Sequence, residues 1–404
     1  MKYIEGGVCA PKGFTANGIH CGLKKEKTKL DLAVIYSSVP ASAAAVYTTN
    51  LVKGAPLTVT KSNIADGIAR AVICNSGNAN TCNADGIEVA TKTCELLGNK
   101  LKIKPEDVIV ASTGVIGQPL DIEPIAAGIP KMAAGLSRDG ADRAARAIMT
   151  TDLVKKEIAV EFEIDGVTCC MGGMAKGSGM IHPDMATMLA FITSDAAITP
   201  ECLKKALSQE IEDTFNMISV DGDTSTNDMV SVMANGLAGN PVIKAEGEGY
   251  EAFKEALHVV STYLARSMAK DGEGATKLLE CTVTGAADKD TARVVAKSVI
   301  CSNLLKSAMF GADANWGRVL CAVGYSGADV DVNKTSVIFA SRSGEVKVCE
   351  GGTGIEFSEE LAKKVLDEDE IRILVGLDSG NASATAFGCD LTYDYVKING
   401  SYRS

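Results

Sequence analysis

The chain has 404 residues, 46% apolar and 23% charged, which is enough for two domains or one large one with a lobe, and for a core that needs no staples. A formal charge of −11 and a pI near 5.0 exclude a protein whose field is built to hold nucleic acid; an anionic small substrate requires a local cation of its own. The longest uncharged stretch, Leu32 to Val52, is broken by Ser37, Ser38, Pro40 and Ser42, so no membrane span is expected.

In chain order, short apolar runs at Leu32–Tyr36, Ala71–Cys74 and Val108–Ala111 read as strands. Each leads into small polar residues, as in Asn75-Ser76-Gly77-Asn78-Ala79-Asn80. Ile158, Val160, Phe162 and Ile164 alternate with Ala159, Glu161, Glu163 and Asp165, the period of a half-buried strand. Asp165-Gly166 then predicts a hairpin turn into a return strand, Val167–Met171. Thr199-Pro200 supplies an N-cap and a first helical residue for a helix to about Phe215. Phe253, Leu257, Val260, Leu264 and Met268 form a helical stripe. Further helices are expected over Thr291–Met309 and Ser358–Leu366, and a final strand with Phe387, Cys389, Leu391 and Tyr393 on one face. Hairpins mixed with crossovers favour an α/β sandwich over a doubly wound parallel sheet.

Missing motifs narrow the chemistry. Thirteen cysteines, odd in number and without a C-x-x-C pair, read as buried free thiols. The opening Met1-Lys2-Tyr3-Ile4-Glu5-Gly6-Gly7 lacks the apolar region of a leader, so a reducing cytoplasm is expected. Neither H-E-x-x-H nor C-x-x-C offers a zinc site, and neither G-x-x-x-x-G-K-[ST] nor a strand-borne G-x-G-x-x-G offers a phosphate cradle. Asp221-Gly222-Asp223-Thr224-Ser225 begins like a calcium loop, but Thr226 and Val232 stand where Gly and Glu belong, so it reads as a turn. Of three histidines, His258 flanks the helical stripe, His20 has no evident partner, and His182 before Pro183 suits a positioning role. Ser178 between Gly177 and Gly179 does not fit a G-x-S-x-G elbow.

Residues 172–196 carry a different possibility. A Gly-rich loop leads to Thr187, which opens an apolar, strand-like run. That arrangement suits a hydroxyl nucleophile freed as a new N-terminus, whose own α-amine takes the hydroxyl proton, so that no histidine is required. By spacing alone, an Ala-Thr pair before a strand is more often structural.

Ala175-Lys176-Gly177-Ser178-Gly179-Met180-Ile181, followed by Ala186-Thr187-Met188-Leu189, resembles the signature of the ornithine acetyltransferase family of arginine biosynthesis, also called bifunctional glutamate N-acetyltransferase. The likeness runs over essentially the whole chain. Gly13-Phe14, Asn75-Ser76-Gly77-Asn78-Ala79-Asn80, Ser112-Thr113-Gly114-Val115-Ile116-Gly117, Thr150-Thr151-Asp152 and Asp313-Ala314-Asn315-Trp316-Gly317-Arg318 resemble family segments in the expected order.

The resemblance implies a DmpA/ArgJ-like α/β sandwich of mixed sheets and helices with a smaller second lobe. It implies self-cleavage between Ala186 and Thr187 into an α chain, 1–186, and a β chain, 187–404, that stay together as an α2β2 assembly. Thr187 is the implied nucleophile, carrying acetyl from N-acetylornithine to glutamate through an ester, with ornithine and N-acetylglutamate as products. Thr113 and Gly114 are assigned to the oxyanion hole. Lys176 and Thr150 or Thr151, which the sequence does not separate, fall in the substrate pocket. Glu273 is matched to the site as a carboxylate for the cationic amine of ornithine or for proton transfer, and Asn399 and Ser404 belong to a tail folded over the pocket. No cofactor, metal, nucleic acid or membrane partner is implied; acetyl-coenzyme A is left open as a second donor. The competing readings are an N-terminal-nucleophile amidohydrolase or aminopeptidase of related fold, and a non-catalytic amino-acid-binding protein.

Overall fold

The computed structural model describes residues 1–182 and 188–401. Its strands form two mixed sheets. The first contains β1 (Lys2–Ile4), β2 (Phe14–Ile19), β3 (Leu32–Tyr47), β4 (Ile68–Asn75), β5 (Val108–Ser112), β6 (Lys156–Ile164), β7 (Val167–Lys176) and β8 (Leu189–Ser194). After β9 (Ile218–Ser219), which joins the second sheet, β10 (Met229–Ala234) completes the first, in the order β1-β6-β7-β8-β10-β3-β4-β5 with β2 also on β3. The helices between these strands are α1 (Ala55–Asn63), α2 (Gly86–Leu101), α3 (Glu123–Ala134), α4 (Ala141–Ala147) and α5 (Pro200–Ile211).

The long strand β3 explains how this sheet becomes a sandwich. Its first part pairs with β2 and β4, its second with β10, and the register shifts between Tyr36 and Ala41 around Pro40. Beyond that irregularity the two parts face each other. Ala33, Ile35, Val72 and Ile109 share one core with Leu189, Phe191, Met229 and Met233, and α4 fills that core with Ala144, Ala145 and Ala147. Side chains alternate across a strand, so the opposite faces are apolar too. Val34, Ile73 and Val110 pack under α2 and α3. Ile192, Val230 and Val232 pack under α5 and under α6 (Glu248–Lys270). The result is a layered α-β-β-α sandwich.

The second sheet, β14-β13-β12-β15-β11-β16-β9, is built from β11 (Leu278–Ala286), β12 (Ser336–Ser341), β13 (Gly344–Glu350), β14 (Thr353–Gly354), β15 (Glu370–Gly376) and β16 (Ala382–Cys389). Its core is closed by α7 (Lys289–Cys301), α8 (Asn303–Phe310), α9 (Trp316–Gly324) and α10 (Glu359–Leu366). The helix α6 joins the two units, its Met268 and Ala269 sharing a core with Phe387 and Cys389 of β16. A last helix, α11 (Tyr393–Ser401), follows. β7 precedes the proposed cleavage position in the chain, β8 and β10 follow it, and β8 and β10 lie between β7 and β3 in the sheet. A cut there would leave two chains held by shared strand ladders.

Most local expectations hold. Ile158, Val160, Phe162 and Ile164 are buried against α6, with Phe162 edge-on to Phe253 at 6.3 Å. The five stripe residues of α6 are fully buried. Three expectations need correction. The helix expected over Thr291–Met309 is two, because extended Ser302 caps α8 by accepting from Leu305 N at 3.3 Å. The helix from Pro200 ends at Ile211, before a separate 3-10 turn at Phe215–Met217. The final strand stops at Cys389. There Asp390 Oδ1 takes the N–H groups of Thr276 (2.8 Å) and Lys277 (3.0 Å) and turns the chain, so Leu391 leaves the face and Tyr393 begins α11.

Candidate active site

Strand ends from both β layers of the sandwich meet around a cavity of about 220 Å³. One wall is made by the loops after β4 and β5. The Asn75 side-chain amide donates to Ser112 Oγ at 2.7 Å, and Asn75 O accepts from Thr113 N at 2.9 Å. These bonds fix Thr113 and Gly114 where β5 ends. Gly114 has φ +128°, and a Cβ there would lie 2.7 Å from the Gly77 carbonyl carbon and 2.8 Å from Asn78 N. Only glycine fits that close approach.

The facing wall comes from β7, β8 and β10. Lys176 ends β7 and is 8% exposed, so it is no surface lysine; its Nζ lies 3.4 Å from Thr113 Oγ1. Beside it Asn227 Nδ2 donates to Ser112 O at 2.9 Å, tying the segment before β10 to the loop after β5. Thr150 and Thr151 both line the cavity, so the structure does not separate them.

A buried ion cluster holds the third side. Lys156 Nζ is 2.7 Å from Asp152 Oδ1 and 2.6 Å from Asp271 Oδ2, with side-chain exposures of 2%, 0% and 4%. Asp152 also accepts from Gly177 N at 2.7 Å and from Thr150 N at 2.9 Å, and Asp271 accepts from Leu153 N at 3.1 Å. Burial opposes the Asp152 charge, but Lys176, Lys156 and the Gly177 N–H outweigh it and hold the carboxyl well below the usual range. One strut thus fixes the threonine loop, the end of β7 and the turn after α6.

That turn carries Glu273. Its N–H donates to Ser178 O at 2.9 Å, and its carboxylate passes so close to Gly179 that a Cβ there would sit 2.4 Å from it. From α11, Asn399 Nδ2 donates to Glu273 Oε2 at 2.8 Å. Asn399 therefore reaches the cavity.

The structure gathers Thr113, Gly114, Thr150, Thr151, Lys176, Glu273 and Asn399 around this one cavity, together with Met188 and Leu189. Ala186, Thr187 and Ser404 lie outside the described residues. The chain on either side of 183–187 is anchored: Asp221 accepts from Met180 N (2.6 Å) and Ile181 N (2.8 Å), and Met188 O accepts from Met229 N (2.8 Å). The acidic stretch read as a turn thus has a structural duty as well. His182 contacts Ser219 Oγ at 3.1 Å and Cys301 Sγ at 3.5 Å, away from the cavity lining. His20 does have a partner, Asp31 at 3.0 Å, and His258 meets Glu210 at 2.8 Å.

Sequence reasoning missed Thr226, Asn227 and Asp228, which line the cavity, and the Lys156–Asp152–Asp271 cluster behind it. One signal was available. A polar Thr-Asn-Asp directly before the wholly apolar opening of β10 marks polar side chains at a buried strand end.

A concave, largely buried site with one lysine, several hydroxyls and a glycine N–H at a strand end is the equipment of an α/β-sandwich enzyme acting on a small polar substrate. Comparison with known proteins narrows the class. The profile of the ArgJ family matches residues 15–404. The chain is 53% identical over 392 residues to arginine biosynthesis bifunctional protein ArgJ 1 from Clostridium acetobutylicum, covering 97% of this chain and 96% of that one. It is 51% identical to arginine biosynthesis bifunctional protein ArgJ from Caldanaerobacter subterraneus subsp. tengcongensis, covering 100% of each. Among solved structures, arginine biosynthesis bifunctional protein argJ from Bacillus halodurans is 47% identical, with a TM-score of 0.49 over 52% of this chain and 98% of that chain.

The chain belongs to the ArgJ family. It is an acetyltransferase of arginine biosynthesis. Among the described residues no helix is long and apolar enough to cross a membrane.

Proposed function

We propose that the chain moves the acetyl group of N2-acetylornithine to glutamate by a ping-pong cycle through an acetyl-Thr187 ester, after cleaving itself between Ala186 and Thr187. The observation that carries this reading is the convergence of Thr113, Gly114, Lys176, Glu273 and Asn399 on one cavity whose wall includes Met188, the neighbour of Thr187.

In the first half-reaction Thr187 Oγ attacks the acetyl carbonyl carbon. Its proton passes to the α-amine, the carbonyl oxygen becomes an oxyanion, and Thr113 Oγ1 with the Gly114 N–H stabilises that charge. The C–N bond breaks, ornithine leaves with the proton, and the ester remains. In the second half-reaction the glutamate amine attacks the ester, yields its proton to the same α-amine, and expels Thr187 Oγ, which recovers it. Lys176 pairs with the substrate α-carboxylate as a point charge from inside the protein. Glu273, held by Asn399, faces the side-chain ammonium of ornithine.

The same reading gives Ser404 a substrate contact alongside Asn399 and puts the enzyme in the cytoplasm as an α2β2 assembly, with acetyl-coenzyme A as a second donor and no resident cofactor. Thirteen free cysteines support the reducing compartment.

The test is the denatured intact mass of purified protein beside its Thr187→Ala variant, followed by an assay with N-acetylornithine and glutamate. Fragments of 186 and 218 residues in the wild type, one full-length species in the variant, and glutamate-dependent release of ornithine are expected. A variant that still matures, or ornithine release indifferent to glutamate, overturns the reading.

A further inference from the structure

Lys24 has no part in the chemistry described so far, yet its side chain ends one residue short of the cavity wall. It stands half-buried in the loop between β2 and β3. Its Nζ donates to two backbone carbonyls, Leu30 O at 3.0 Å and Met149 O at 2.6 Å. Lys156, by contrast, meets two carboxylates. An ammonium drawn out of water toward neutral acceptors needs good bonds to stay there, and a charge-assisted bond is roughly twice as strong as a neutral one. The root of the side chain is fixed as well. Asp31, fully buried, accepts from Cys21 N at 2.6 Å, Gly22 N at 3.2 Å and Lys24 N at 3.0 Å.

Met149 O belongs to the peptide group that joins Met149 to Thr150. The N–H of that same group donates to Asp152 Oδ2 at 2.9 Å. One planar unit is therefore gripped at both ends, by a lysine from the β2–β3 loop and by a buried carboxylate. Fixing the plane fixes where the next Cα and its side chain begin, and Thr150 and Thr151 line the cavity. The Thr113–Gly114 wall is braced without the Lys24 ammonium. Asn75 holds Ser112 and Thr113, and Leu23 lies so close to Gly77 that a Cβ there would sit 2.7 Å from the Leu23 Cβ.

We propose that Lys24 is a positioning residue for substrate binding: by holding Met149 O it sets the Thr150–Thr151 segment against which N-acetylornithine lies. This rests on the reading of the cavity given above. Lys24 acts through the peptide group and touches no reacting atom, so its loss loosens the substrate contact while the oxyanion wall keeps its shape.

The experiment compares purified wild type with Lys24→Met and Lys24→Arg by calorimetric binding of N-acetylornithine, by steady-state acetyl transfer and by Tm. In Lys24→Met the Kd and KM for N-acetylornithine are expected to rise about 10-fold, with kcat within about 3-fold of wild type. In Lys24→Arg both are expected to return to within about 3-fold, because a guanidinium also carries several donors and keeps its charge. Unchanged Kd and KM in Lys24→Met overturn the proposal, even with a lower Tm, since they mark a brace that the cavity does not feel. A loss confined to kcat overturns it too, and so does a Lys24→Arg variant as weak as Lys24→Met. An insoluble Lys24→Met marks the lysine as a determinant of folding and likewise overturns it. If the wild type binds N-acetylornithine without moving its acetyl group, the reading of Thr187 has failed, and the Kd comparison still decides the role of Lys24.

Discussion

Replacing Lys156 with Met tests whether one buried cation holds the active-site segments in place. Its Nζ is within 2.7 Å of Asp152 and 2.6 Å of Asp271, and all three side chains are at most 4% exposed. Breaking a buried pair by removing one partner costs about 3–5 kcal/mol, because the remaining charge is left unpaired. Both carboxylates keep other donors, Gly177 and Thr150 for Asp152 and Leu153 for Asp271, so the two losses do not simply double. A net cost of about 3–5 kcal/mol is therefore expected. Spread over an unfolding entropy of about 0.85 kcal/mol/K for a chain of this length, that lowers Tm by about 4–6 °C. The pH dependence has a definite sign. Asp152 is held below its usual range, so its contribution is present above the ordinary carboxylate pKa and is lost as pH falls through its folded value. Without Lys156 that depression shrinks, and the gap between wild type and variant must narrow as the pH is taken from neutral to about 2.5, below the ordinary carboxylate pKa. Differential scanning calorimetry at the two pH values, with KM for N-acetylornithine measured alongside, decides it. A Tm unchanged at neutral pH, or a gap that widens in acid, would refute the reasoning.

Other substitutions probe the cavity itself. Thr113→Val keeps the shape of the side chain and removes one donor, so kcat should fall about 10²–10³-fold with little change in KM; retained turnover would remove the hydroxyl from the oxyanion hole. Gly114→Ala meets the Gly77 carbonyl carbon at 2.7 Å in a left-handed conformation, and is expected to cost about 1–3 kcal/mol in stability as well as activity. Deleting residues 399–404 takes away the donor on Glu273 Oε2, so KM for N-acetylornithine should rise about tenfold while Tm holds; an unchanged KM would leave the tail outside the site. His258→Gln tests linkage at a distance from the cavity. The hydrogen bond to Glu210 raises the His258 pKa from its usual 6.5, so the stability it adds is complete below that value and disappears as pH rises through the folded pKa. The Tm difference from wild type should be larger at about pH 5.5 than at about pH 8.5.

Much of this molecule was legible in the sequence where the physics is local. The period of Ile158 to Ile164, the Asp165-Gly166 turn and the four-and-three steps of Phe253 to Met268 each specify one element, because side-chain burial on a strand or helix face repeats at its own period. The motifs around Thr113, Lys176 and Glu273 specified which residues to watch. Distance was what the sequence lacked. Ala41 to Tyr47 has no pattern that marks it as a strand, and it extends β3 only because β10 pairs with it from nearly two hundred residues away. That same pairing folds the first sheet over, brings the loop after β5 onto the end of β7, and so closes Thr113 to within 3.4 Å of Lys176. Lys156, Asp152 and Asp228 read as ordinary charged residues until their burial is seen, because a charge becomes informative only when the surrounding fold has taken its water away.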